Sequence, residues 1–215
     1  MKFTMSVGDL NRLITAANTY GDKTRFSDGK VVVKMTVEEW RNDVCYAKCY
    51  ISDTVAVIQV FVRLVPVAEE ESFCEGAFDS FYMVVPSKKY KAKPETVGVE
   101  IEKNITRYRH GGVTEEVMFD ADVESRFVDQ VDTVGKRFVE KEKTNDITPL
   151  VIDPARMIAA LELFAKEGAK VQIDRVDQYI LRIQPNKASG VCAQSVIAVM
   201  SPRKDAEYFQ GRYSI

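Results

Sequence analysis

Two periods of apolar residues run along this chain, and the switches between them set out most of its elements. Met1–Met5 alternates as a short strand, and Ser6 follows as a helix N-cap with the acid Asp9 three residues on, resembling a capping box. Val7, Leu10, Leu13, Ile14 and Ala17 then fall at helical spacing and form one apolar stripe. Gly21 is the predicted stop. Strand-like runs follow at 30–37, 44–52 and 54–67, with Trp40 and the Arg41-Asn42-Asp43 cluster read as a hairpin connection. The acidic stretch 68–72 reads as a solvated loop and 80–86 as another strand. Residues Lys88–Pro94 come where a helix is due, but a proline and four lysines in seven residues oppose a long one. Strands at 97–109 and 113–121 are predicted to form a hairpin around His110-Gly111-Gly112. The charged segment 122–146 fits either a helix face (Phe127, Val128, Val131, Val134) or a strand at 137–143.

The opening pattern then returns. Residues 148–152 read as a strand, Asp153 as an N-cap, and Pro154 as proline at the first helical position. Met157, Ile158, Leu161, Phe164 and Ala165 form the stripe, and Gly168 ends it. Strands are expected at 170–174, 178–184 and 191–201. Placed side by side, Phe3 to Leu10 matches Leu150 to Met157 in role, Ile14 falls on Leu161, and Ala17 on Phe164. A supersecondary unit of strand, helix and strands is repeated.

Composition narrows the class of protein. The chain has 215 residues, 46% of them hydrophobic and 29% charged, which suits one large domain or two modest ones. Thirty basic and 32 acidic side chains give a net charge of −2, so any contact with DNA needs a local positive patch. No apolar run reaches the roughly 18 residues of a membrane span, and the N-terminus does not read as a secretory signal. The cysteines (Cys45, Cys49, Cys74, Cys192) are few and unevenly spaced. Cys45 and Cys49 share one face of a strand but lie too far apart to bridge, so reduced thiols in a cytoplasmic protein are expected.

The residues Met1-Lys2-Phe3-Thr4, a cap and a leucine-bearing helix resemble the start of bacterial DNA polymerase III beta sliding clamps. The stretch from Leu150 to Arg203 resembles their closing unit, ending in Val199-Met200-Ser201-Pro202-Arg203. Together these stretches cover about half the chain. The resemblance implies an α+β, DNA clamp-like fold of repeated βαβββ units, with antiparallel sheets forming an outer wall and helices on one face. With room in the chain for about two clamp domains rather than the three of the bacterial clamps, it implies domains at 1–125 and 126–215, divided near 120–145. It also implies a homo-oligomer, since two-domain clamps close as trimers. The function implied is a DNA-polymerase processivity factor that encircles double-stranded DNA without reading sequence and docks the polymerase or other clamp-binding peptides.

Candidate residues follow from that frame. The DNA-facing candidates are Arg12, Lys23, Arg25, Lys88, Lys89, Lys91, Lys93, Arg156 and Lys166, with Asn11, Thr15, Asn18 and Glu162 on the same helix faces. Within the lysine run, Tyr90 offers a ring that can stack on a base. Arg107, Arg109 and His110 fit turn chemistry better than a site. Val199, Met200 and Pro202 are candidates for a partner-peptide groove, carried from the matching stretch. Catalysis is not expected. The single histidine excludes any two-histidine metal site, and neither a phosphate-binding glycine loop nor a nucleophile elbow is present. No cofactor and no metal are therefore expected. The rival expectation is a non-catalytic interaction module with a clamp-like fold and no DNA inside, favoured by the thin basic lining of the helices.

Overall fold

A computed structural model describes residues 1–21, 30–41, 44–52, 56–67, 80–118, 154–165, 168–177, 180–186 and 196–200. The first unit runs β1 (Lys2–Ser6), α1 (Val7–Tyr20), β2 (Val31–Arg41), β3 (Val44–Ser52) and β4 (Ala56–Pro66), a βαβββ order. The stripe predicted for α1 is wholly buried, with Ala16 added to it. Each such Leu or Ile withdrawn from water contributes about 1.5–3 kcal/mol, so α1 is held mainly by its docking on the sheet.

The cap of α1 is partly as expected. The Ser6 hydroxyl accepts from the Asp9 N–H at 2.9 Å. The Asp9 carboxylate, however, turns away from the capping box. It accepts from the Arg63 N–H in β4 at 3.4 Å and pairs with Arg12 at 3.2 Å. A first-turn acid thus stitches helix to sheet. Gly21 ends the helix in an extended conformation, its N–H bonded to the Ala17 carbonyl at 2.8 Å. Glycine is required there by close approach. A Cβ would stand 2.4 Å from both the Ala17 carbonyl oxygen and Val31 Cγ2.

The second unit contains β5 (Ser80–Val85), β6 (Thr96–Glu102), β7 (Ile105–His110) and β8 (Val113–Met118), with an irregular segment at 86–95 in place of a helix. All strand pairings are antiparallel, in the order β5-β2-β3-β4-β1-β6-β7-β8. The two units exchange their first strands: β1 pairs with β6, and β5 with β2. The outer edge of β5 is met by side chains of β7. Thr106 Oγ1 accepts from the Val84 N–H at 3.3 Å, and the Tyr108 hydroxyl donates to the Val84 carbonyl.

The third unit supplies α2 (Pro154–Ala165), β9 (Val171–Asp177), β10 (Ile180–Pro185) and β11 (Val196–Met200). β11 pairs with β10 on one side and with residues 56–60 of β4 on the other, so the eleven strands among the described residues form one sheet. Ala160, Phe164 and Ile183 join the same core cluster as Leu10, Leu13 and Ile14.

Four sequence expectations change. Residues 97–109 form two strands, because the chain turns at Lys103-Asn104, where Lys103 takes φ +51°. Trp40 and Arg41 belong to β2, which is extended past an irregular register between Val37 and Glu39. Ile158, placed on the α2 stripe, is 57% exposed, and Ala165 is also exposed, while Ala160 takes the buried position. The thiols of Cys45 and Cys49 are free, as expected, but fully buried. Burial pushes Cys45 up to about 11 and raises Cys49 as well. The acidic stretch 68–72, the segment 122–146, the domain boundary near 120–145 and the strand expected at 148–152 lie outside the described residues.

Candidate nucleic-acid interface

A helix that faces DNA needs cations held loosely toward phosphates, and α1 spends its polar groups otherwise. Arg12 reaches the Phe61 carbonyl and the Asp9 carboxylate, both at 3.2 Å, and its side chain is 18% exposed. Thr15 and Thr19 bond to the carbonyls of Asn11 and Thr15 one turn back. Asn11 and Asn18 bind the segment that replaces the second helix. Asn11 donates to the Tyr90 carbonyl at 2.9 Å and accepts from the Tyr90 N–H at 2.8 Å, while Asn18 donates to the Ser87 carbonyl at 3.1 Å.

The same segment is pinned at its other end, where the Val7 N–H donates to the Glu95 carbonyl at 2.8 Å. His110 Nε2 lies 3.0 Å from the Pro94 carbonyl. The Tyr90 ring packs against Tyr108 and edge-on against His110, and its hydroxyl donates to Glu115 at 2.8 Å. Burial, and then that bond, raise the Tyr90 hydroxyl above the usual tyrosine range. Tyr90 is therefore an anchor, and its ring is engaged within the protein. What it anchors are Lys88, Lys89, Lys91 and Lys93, all exposed. Four ammonium groups thus stand on a backbone fixed to α1 at Asn11 and Asn18, on the helix side of the sheet.

The third unit offers less charge. The exposed positions of α2 include Ala155, Ile158, Glu162 and Ala165. Arg156 lies in the first turn of α2, and only its backbone is described. Lys23, Arg25, Lys166 and Pro202 lie outside the described residues. Val199 and Met200 sit in β11, whose backbone edges are taken by β10 and β4, so a peptide cannot add there as a further strand.

The opposite face of the sheet differs between units. In the second unit Arg107 bonds Glu116 at 2.7 Å and Glu102 at 2.9 Å, and Arg109 bonds Glu100 at 2.7 Å. The Arg107 bond and charge hold the Glu102 carboxyl below its ordinary value. Arg107 and Arg109 are thus cross-strand ion-pair residues of the sheet. Next to the third unit's edge, Asp174 is buried and accepts from Gln172 at 2.8 Å, Gln184 at 2.7 Å and Arg182 at 3.2 Å. Burial raises the Asp174 carboxyl, but the bonds from Gln172, Arg182 and Gln184 and the Arg182 charge outweigh it and leave the group lowered. Among the described residues no cluster of three metal-ligating side chains occurs, and no helix is long and apolar enough to cross a membrane.

No family model matches the sequence, and no curated protein matches it significantly. Solved structures do match in fold. The Bacillus subtilis DNA polymerase sliding clamp superposes with a TM-score of 0.57 at 11% identity, over 94% of this chain and 63% of that one. The fold is that of a sliding clamp. The Helicobacter pylori beta clamp, solved with a DNA ligase peptide, gives a TM-score of 0.54 at 12% identity, over 94% of this chain and 65% of that one. The Pseudomonas aeruginosa DNA polymerase III subunit beta gives 0.52 at 13%, over 94% and 64%. This chain therefore spans just under two thirds of the clamps it resembles. Its clamp fold keeps α1 and α2 on one side of the sheet, both in one core and in contact with each other. It replaces the helix of the second unit by the lysine segment. Asn11 and Asn18, which hold that segment, were legible in sequence only as polar helix positions seven residues apart.

Proposed function

We propose that this protein is a sliding clamp that tethers a DNA polymerase to duplex DNA without sequence specificity, acting as a homo-oligomeric ring of two-domain subunits with domains at 1–125 and 126–215. The observation that carries this reading is the placement of α1, α2 and the lysine segment on one side of a continuous sheet. Sheets then form the wall, and Lys88, Lys89, Lys91 and Lys93 face the phosphates, with Lys23, Arg25, Arg156 and Lys166 adding charge. The role of Arg12 is indirect, since it ties α1 to β4. A closed ring is held topologically, so loose contacts suffice and sliding is permitted. No catalytic step is involved. Partner peptides, such as the one bound to the Helicobacter pylori clamp, dock at the side-chain surface of β11 near Val199, Met200 and Pro202.

The test is retention on a nicked DNA circle, with the partner polymerase's loading system supplied where the ring does not load itself. Protein that stays at about 0.3 M salt and is released when the circle is linearised supports a ring. Equal loss from circle and linear DNA with salt alone removes it. A strict monomer by light scattering at micromolar concentration removes the self-closing ring. A second reading, an interaction module of clamp fold with no DNA inside, is favoured by the exposed α2 positions Ala155, Ile158 and Glu162, which carry no positive charge. That reading predicts no retention on either form.

A further inference from the structure

The outer face of the first unit is unlike that of the second, and the strand register shows how. Side chains that share the face away from the helices include Tyr82 on β5, Lys34 on β2, Tyr46, Lys48 and Tyr50 on β3, and Phe61 and Arg63 on β4, beside Val32, Thr36 and Val84. Lys34 lies opposite Tyr50 on one side and Tyr82 on the other. Lys48 lies opposite Phe61, with its ammonium 5.7 Å from the ring centroid, and Tyr46 lies opposite Arg63. Aromatic rings and cations therefore alternate across the strands. Tyr46 is 39% exposed and Arg63 is exposed, while Lys48 and Phe61 are half-buried. Tyr50 and Tyr82 are half-buried against Val32 and Val84, and Lys34 is buried between them, so the accessible cations are Lys48 and Arg63. Of the acids of β2, Glu39 lies opposite Tyr46 at the β2 end of the Tyr46–Arg63 row, beside the irregular register. In the second unit the corresponding arginines lie against glutamates.

We propose that this outer face is a binding site for single-stranded DNA, separate from the duplex surface on the helix side. Flat rings stack on bases of any identity, and interleaved cations meet the phosphates between them. The complementarity is specific to a flexible polyanion that carries aromatic faces. Tyr46 and Tyr50 lie about 13 Å apart along one strand, and Tyr50 and Tyr82 about 10 Å apart across two. That span suits a site of about four or more nucleotides. A duplex hides its bases and cannot use the rings. The choice of DNA over RNA rests on the tethering reading above; the ring-and-cation site itself does not.

The experiment measures binding of the full chain to fluorescent dT20, rU20 and a 20-base-pair duplex at low salt. In wild type, dT20 is expected to bind. Tyr46→Leu with Tyr82→Leu should weaken dT20 binding about 10- to 100-fold, while leaving retention on nicked circles unchanged. Arg63→Glu, a single exposed change that spares the core, should weaken dT20 binding several-fold and flatten its salt dependence. Lys88→Ala with Lys89→Ala, Lys91→Ala and Lys93→Ala should impair circle retention and spare dT20. No dT20 binding, or dT20 binding lost only in the lysine variant, overturns the site. So does a Tyr46/Tyr82 variant that is folded by circular dichroism and binds dT20 normally. If that variant fails to fold, normal dT20 binding by Arg63→Glu overturns the site instead. Tighter binding of rU20 than dT20 overturns the assignment to DNA. Failure of circle retention with dT20 binding intact counts against the tethering reading alone.

Discussion

The first and second units share a strand order but cover the inner side of their sheets differently, one with a 14-residue helix and the other with ten irregular residues. In the first, coverage is apolar: Leu10, Leu13 and Ile14 are fully buried. In the second, the backbone of 87–95 is held by amides of α1 and by Tyr90, and the lysines are left outside. A helix shields its own backbone groups, whereas an irregular segment needs outside partners for them. The helix of the first unit is therefore also the scaffold of the second. The contrast teaches that a basic surface can be built by removing a helix as well as by decorating one.

Several substitutions break or sharpen this contrast. Leu13→Ala should cost about 2–5 kcal/mol, read by denaturant unfolding, and should loosen the lysine segment too, since its anchors ride on α1. Gly21→Ala should cost about 1–3 kcal/mol, because the new methyl meets the Ala17 carbonyl and Val31. Asn11→Ala should cost about 1–2 kcal/mol by leaving both Tyr90 backbone groups without their partner. Hydrogen exchange at 88–93 should then quicken while that of β3 stays unchanged; equal protection in the variant would mean that the segment holds itself.

A smaller effect is expected at acid pH. The Asp174 carboxyl is lowered in the folded protein, so its contribution is complete above the ordinary carboxylate range and is lost as pH falls through the folded value. Asp174→Asn should flatten the acid side of the stability–pH curve and leave the neutral plateau nearly level with pH. The smallest effect belongs to Arg107→Ala. Its exposed ion pairs are screened by salt, so any loss in melting temperature should shrink toward zero at about 1 M salt.

Much of this was legible in the chain, for physical reasons. The stripe of α1 and the strands at 44–52 and 80–85 are periodic signals set by which face is buried, and burial decided them. The proline and lysines at 88–94 correctly opposed a helix. The turn at Lys103-Asn104 was missed because no glycine or proline marks it and the positive φ falls on Lys103 rather than on Asn104, the residue that favours turns. Ile158 was misassigned because a helical stripe fixes spacing but not which flank meets a neighbour. The surface proposed for duplex DNA was half legible: the lysines were visible as a run, but the diversion of Arg12 to Asp9 and Phe61 depends on a strand some fifty residues away. The outer aromatic rows were invisible until the register aligned β2, β3, β4 and β5.

The pairing of β4 with both β1 and β11 has a consequence for how the molecule is made. Residues 56–60 leave the ribosome early, but their partners at 196–200 follow about 140 residues later. At about 5–20 residues per second that interval is roughly 7–30 s. Until then a stretch of Val57, Ile58 and Val60 shows an unfilled backbone edge to the cell. Closure of that edge has high contact order and is slow. Misassembly during synthesis is therefore expected at β4, where two nascent copies can pair with each other before either has produced its own last strand.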